Sequence, residues 1–199
     1  MHKAGVFLLI LLMGFPILLA AQDDDDYEWD YYDDLYAIGD QTFIITLGTI
    51  LPMFMQINGE TAPNKYTPPV GGAGSLCYNY YLNANIFAGA EVSAMFIGTL
   101  GSNTLFMLPV GIRGGYQFNI WKMEIPISIG VGMVWHRFID QGYYGMYLKG
   151  GVSAFYRATT TWSFGINSNW YWFPQWVEDK TKNAYGNFLD LTISARYHF

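Results

Sequence analysis

The chain ends on a run, Leu189 to Phe199, that alternates apolar and polar residues to the last position. Leu189, Leu191, Ile193, Ala195, Tyr197 and Phe199 make a face without charge, and Asp190, Thr192, Ser194, Arg196 and His198 make the opposite face. A period of two is that of a strand, whose side chains point alternately to the two sides of a sheet. A soluble sheet would bury the apolar face and turn the charged one to water. A closed barrel in a membrane would do the reverse, with the apolar face on lipid and the charges inside.

The start of the chain bears on that choice. His2 and Lys3 precede an apolar run from Ala4 to Leu19 that exits through Ala20-Ala21-Gln22. A short basic region, an apolar stretch and a small-residue exit make a secretory signal, so residues 1–21 are expected to be removed near Ala21. An uncleaved anchor is the alternative, because the run approaches the length that spans a bilayer; Gly14, Pro16 and the small-residue exit argue against it. After residue 21 no stretch is continuously apolar over the length of a membrane helix. The single cysteine, Cys77, allows no internal disulfide and lies far from any lipidation position.

Charge is unevenly placed. Eight of the sixteen acids fall between Asp23 and Asp34, whereas from Tyr36 onward eight acids face nine Lys and Arg. Residues 22–40 therefore read as an acidic, aromatic tail, extended by its own repulsion. The rest is almost neutral and carries no basic patch, so no nucleic-acid partner is expected.

Residues 41–199 hold eight alternating segments: Gln41–Phe54, Val70–Leu82, Ile86–Ile97, Leu105–Phe118, Met123–Phe138, Gly145–Tyr156, Trp162–Phe173 and the terminal run. An all-β fold follows, an eight-stranded antiparallel transmembrane barrel. The even count puts both termini at one end, which in bacterial outer-membrane barrels is periplasmic. The connections Gln56–Pro69, Gly98–Thr104, Ile139–Tyr144 and Pro174–Asn187 are then the outer loops, longer than the three periplasmic turns. Aromatics collect at strand ends: Tyr78, Tyr80, Tyr116, Phe118, Trp121, Tyr156, Trp162, Tyr197 and Phe199 at one, Phe54, Trp135, Trp170 and Trp172 at the other. Two girdles at the membrane interfaces are the expected reading, with outer-membrane lipid around them. Pro109 and Pro126 fall inside strands and should weaken the ladders locally.

The inward set includes Glu91, Arg113, Glu124, Lys149, Asp190 and Arg196. A hairpin centred near Gly101 and Ser102 sets Glu91 beside Arg113, and an unpaired charge in a small barrel is costly, so a buried bridge is expected there. Asp40, at the start of the first strand, is expected to meet Arg196 on the last. Such a ladder fixes register, or else lines a solute path. An eight-stranded barrel is about wide enough to be filled by its own side chains, yet Gly71, Ala73, Ser75, Gly89, Gly111, Gly115, Gly130, Gly132, Gly151, Ser153 and Gly165 all point inward and leave room. Met107, Tyr147, Phe155 and Tyr171 point inward too and could plug it.

No catalytic constellation emerges. Ser194, His198 and Asp190 share a face, but along one strand the Ser and His stand about 13 Å apart, beyond proton transfer. Three histidines, one of them in the signal, and one cysteine give no metal-ligand set and no cofactor site. The run Asp23 to Asp26 lacks the glycine and closing Glu of a calcium loop.

The signal peptide, the eight strands, the ending Ala195-Arg196-Tyr197-His198-Phe199 and the segment Gly71-Gly72-Ala73-Gly74 followed by Tyr78-Asn79-Tyr80-Tyr81 resemble the small outer-membrane barrel proteins. Among these the chain is similar to the OmpW and OprG group, over roughly Asp40 to Phe199, and to a spirochaetal, treponeme-type member of it. The resemblance implies the cell outer membrane, a barrel-assembly machinery that reads Tyr197 and Phe199, and a porin-like passive conduit for small apolar or amphipathic solutes with a side exit to the bilayer. Shorter outer loops and the acidic tail depart from the group. The alternative function is a non-conducting structural or adhesive barrel acting through its loops.

Overall fold

In a computed structural model, residues 36–57, 60–62, 70–99, 103–138, 141–175 and 183–199 are described. The expected signal, the tail up to residue 35 and the tips of four connections lie outside them. The chain forms β1 (Gln41–Ile57), β2 (Glu60–Ala62), β3 (Gly71–Tyr81), β4 (Ile86–Thr99), β5 (Asn103–Ile120), β6 (Met123–Phe138), β7 (Gln141–Arg157), β8 (Trp162–Gln175) and β9 (Ala184–His198). Every pair is antiparallel, β1 joins β3 on one side and β9 on the other, and eight strands close into a barrel. The three-residue β2 folds back on β1 alone and adds no barrel strand.

Alternation explains which face each residue takes. In β4 the outward Ile86, Val92 and Phe96 are exposed while Phe87, Glu91, Ser93 and Met95 are buried. An exterior of this kind, with Ile129 74% and Ile112 67% exposed, would be untenable in water and suits lipid. Phe43 faces Tyr197 and Trp162 faces Tyr197 at the end where the termini meet, and the Trp162 and Tyr197 rings lie 5.0 Å apart. At the other, loop end, Phe54 packs on Trp170 at 5.8 Å. Phe54 reaches that face through a bulge between Pro52 and Phe54, which reverses the parity of β1.

Both strand prolines act where expected. Between β4 and β5 pairing runs from Val92–Val110 to Met95–Met107 and omits the two intervening pairs around Pro109. Between β6 and β7 it runs from Glu124–Phe155 to Ile127–Val152 and omits those around Pro126. The register is the same on each side of both gaps, so each proline removes ladder bonds on one side without shifting the strand.

The loop asymmetry is smaller than the sequence suggests. Thr99 pairs with Asn103 and Phe138 with Gln141, so the third and fifth connections, expected over Gly98–Thr104 and Ile139–Tyr144, shrink to residues 100–102 and 139–140. β7 starts at Gln141, and its stretch Gly142-Tyr143-Tyr144-Gly145 pairs with β6 although no alternation marks it. The first and seventh connections carry what asymmetry remains.

Candidate functional site

The candidate site is the barrel interior, built in three layers. Nearest the loop end lies an apolar layer of Ile50, Ala73, Met95, Ile97, Met107, Val134, Tyr147, Tyr171, Phe173 and Phe188, all buried. Tyr171 and Phe173 stack at 5.7 Å, and Tyr147 lies 6.0 Å from Tyr171. His136 contributes an edge contact to Phe173 at 5.5 Å and is itself buried, so it belongs to the lumen.

The inward glycines do not leave this space open. A methyl group at Gly111 would meet the Tyr147 hydroxyl, one at Gly115 the Phe87 ring, one at Gly151 Asn169, and one at Gly165 the Phe155 ring. Each glycine is the recess into which a large side chain from a neighbouring strand fits. The expectation of residual room is corrected accordingly: small and large residues alternate around the wall, which is how a tapered barrel fills itself.

The middle layer is a charge cluster around Glu91, only 3% exposed. Lys149 on β7 donates to both carboxylate oxygens at 2.6 and 2.8 Å. Ser93 donates to Oε1 at 2.8 Å, Tyr171 donates to the same oxygen at 3.2 Å, and Arg113 Nη1 stands 3.5 Å from Oε2. Glu91 faces Gly111 and Arg113 faces Gly89, so Glu91 and Arg113 are diagonal rather than opposite as the hairpin count suggested. The β4–β5 register has its midpoint at position 101, whereas a facing Glu91–Arg113 pair needs one at 102, so the partner shifts by two residues and Lys149, reaching across the lumen, is the nearer cation. Arg113 turns partly to Ser128, donating at 3.2 Å. Asp190 is held by Asn169, directly opposite on β8, whose side-chain amide and backbone N–H donate to it at 2.7 and 3.1 Å.

The third layer sits at the end of the termini. Arg196, 1% exposed, donates to Glu124 Oε2 at 2.6 Å and to Gln117 Oε1 at 3.1 Å, with its guanidinium over the Phe155 ring at 3.6 Å. Arg196 therefore pairs with Glu124, not with Asp40. Arg196 faces Ile44 across the seam, which leaves Asp40 beyond the end of β9, where it accepts a bond from the Ala37 N–H at 2.9 Å. Arg157 adds a second, looser contact to Glu124 at 3.5 Å.

One member of this layer escaped the sequence. Tyr36, assigned there to a solvated tail, is 2% exposed and inserted into the mouth. It stacks on Tyr81 at 3.9 Å and donates to Glu124 at 2.8 Å. Burial pushes its hydroxyl well above the usual phenol range, so it stays a donor. His198 joins Tyr36 through Nδ1 at 3.2 Å and Ser163 through Nε2 at 2.7 Å. Ser163 is fully buried, so this Ser and His pair is a structural tie rather than a nucleophile and base. Among the described residues no group of three or more His, Cys, Asp or Glu could hold a metal ion. Tyr197 and Phe199 lie outside, edge to face at 5.0 Å, and the Phe199 N–H donates to the Gln41 carbonyl at 3.0 Å, tying the last residue to the first strand.

A protein-family model matches residues 22–197. Two Treponema pallidum (strain Nichols) proteins, both described as uncharacterised, are 22% identical over 156 residues, 71% of this chain, and 26% identical over 129 residues, 65% of it. The matches cover 53% and 59% of those relatives, so the chain spans only part of their length. Among solved structures, Neisserial surface protein A (NspA) superposes with a TM-score of 0.59 at 11% identity, covering 81% of this chain and 97% of that one. The outer membrane protein OprG from Pseudomonas aeruginosa gives 0.51 at 12% identity, covering 82% and 97%. At such identities the likeness is one of fold.

Proposed function

Because this chain belongs to the family matched over residues 22–197, one of small eight-stranded outer-membrane β-barrels, we propose that it works as a non-conducting barrel acting through the surface at its loop end. The filled lumen is the observation that carries the reading. Three stacked layers occupy the bore, and Ile50, Ile97, Met107 and Val134 are wholly without solvent contact. A passive conduit for small apolar or amphipathic solutes, the reading that the OprG likeness brings, would need the apolar layer to part. The glycine recesses support the non-conducting reading further, because side chains rather than solvent occupy them.

Planar-bilayer recording of the refolded protein tests this directly. No unitary conductance, and no swelling of proteoliposomes in small zwitterionic or apolar solutes, is the expected result. Reproducible solute flux would establish the conduit instead.

The orientation we propose has the termini in the periplasm and the first and seventh connections outside. Single cysteines introduced at residues 63–69 or 176–182 should react with an impermeant maleimide on intact cells, and one at Ala84, in the turn between β3 and β4, should not. Labelling at Ala84 would invert the topology.

A further inference from the structure

Of the described residues before β1, Tyr36 is the one that is buried in the barrel. Its neighbours Ala37 and Ile38 are exposed, Ile38 at 75%, while the Tyr36 ring is buried in the mouth. The chain is turned there by Gly39 at φ +101°, a conformation glycine tolerates, and the Gly39 N–H is tied to the Tyr81 carbonyl at 3.0 Å. The ring thus arrives on a tether from outside the strands, as a ligand would.

What receives it is a complete recognition set drawn from four strands. Tyr81 on β3 supplies a parallel face at 3.9 Å and 14°, and the Arg157 guanidinium on β7 lies 5.4 Å from the centre of the Tyr36 ring. Glu124 on β6 accepts a hydrogen bond from the hydroxyl at 2.8 Å; Arg196 on β9 donates to the hydroxyl oxygen at 3.3 Å, and His198 Nδ1 is 3.2 Å away. An apolar face, a cation near the ring, and an anion and a cation converging on one hydroxyl define the chemistry of a phenol. Glu124, Arg196, Tyr81 and His198 are buried and held by contacts of their own: Arg196 to Gln117, Tyr81 to Gln117 at 2.8 Å, His198 to Ser163. The set does not depend on Tyr36 for its positions.

We propose that the mouth at the termini is a binding slot for a planar phenolic ring, occupied in cis by Tyr36. A phenolic ring presented in trans competes for it, and the chain before β1 is released when that competitor wins. This site is separate from the loop-end surface and stands whether or not the barrel conducts.

Chemical rescue tests it. Tyr36→Ala empties the slot, and p-cresol is the free equivalent of the lost side chain. In detergent, p-cresol should raise the denaturant midpoint of Tyr36→Ala saturably, as binding to the native state alone requires. Toluene, which lacks the hydroxyl, should bind about tenfold or more weakly, since the lost bonds are to charged groups. Wild type and Tyr36→Phe, whose slots are filled, should shift only at much higher p-cresol, because the free ring must first displace the tethered one. A folded Tyr36→Ala barrel with no saturable response, or an equal response in wild type, would overturn the proposal. So would a Tyr36→Ala chain that gives no heat-modifiable barrel with or without p-cresol, because a slot that accepts the free ring is restored by it.

Discussion

Glu91→Ala is expected to destabilise the barrel by about 3–5 kcal/mol, because it leaves buried cations without their anion. Lys149 and Arg113 have side chains only 5% and 10% exposed, so little water is at hand to solvate the charges left behind. Urea unfolding of the detergent-refolded protein, followed by heat-modifiability, would read the loss. The distances also rank the partners. A double-mutant cycle with Lys149, at 2.6 Å, should give a larger coupling than one with Arg113, at 3.5 Å. Exchange of the pair as Glu91→Lys with Lys149→Glu should recover more stability than Glu91→Arg with Arg113→Glu, since the latter sets the new cation against Lys149 at 2.6 Å and the former sets it against the more distant Arg113 at 3.5 Å. A larger coupling to Arg113 would mean that the hairpin neighbour, and not the residue across the lumen, governs the cluster.

That ranking shows where the sequence is legible and where it stops. Period-two alternation identifies every barrel strand and assigns Glu91, Arg113, Glu124, Lys149, Asp190 and Arg196 to the lumen, because the pleat alone decides the face. It finds contacts between neighbours on adjacent strands less well, since a one-residue change in the centre of a hairpin moves a partner by two positions, as it does for Arg113. Contacts across the bore lie beyond it. Lys149 with Glu91 and Arg196 with Glu124 join β7 to β4 and β9 to β6, and these meetings depend on strand tilt and stagger, which no single hairpin records. The glycines misled for a related reason. Alone, Gly111 or Gly132 reads as empty volume, and only the placement of Tyr147 over both turns them into a socket. Tyr36 was hidden by its company: eight acids just before it made the whole segment read as solvated, while Gly39, the residue that turns it inward, carried no signal strong enough to separate it from the tail.

Glu124→Gln tests the other end of the bore and should cost about as much as the Glu91 change, on the order of 3–5 kcal/mol. Glu124 and Arg196 have side chains only 1% exposed each, and Glu124 Oε2 takes both the Arg196 and the Tyr36 bonds. The amide keeps the shape but not the charge, so Arg196 would face Gln117 and two hydroxyl-bearing rings without the one carboxylate it bonds among the described residues. Arg157 offers the internal control. Its side chain is 15% exposed and stands 3.5 Å from Glu124, so Arg157→Gln should cost well under half as much. Because Arg196 sits on β9, one residue from the aromatic exterior, the Glu124 loss acts at the seam where β9 meets β1, and unfolding should begin there. Hydrogen exchange would then quicken first at Thr42 to Gly48 and Thr192 to His198, whose backbones form that ladder. Equal protection across all strands in Glu124→Gln, with an unchanged urea midpoint, would show that the bridge is dispensable and that backbone pairing alone closes the barrel.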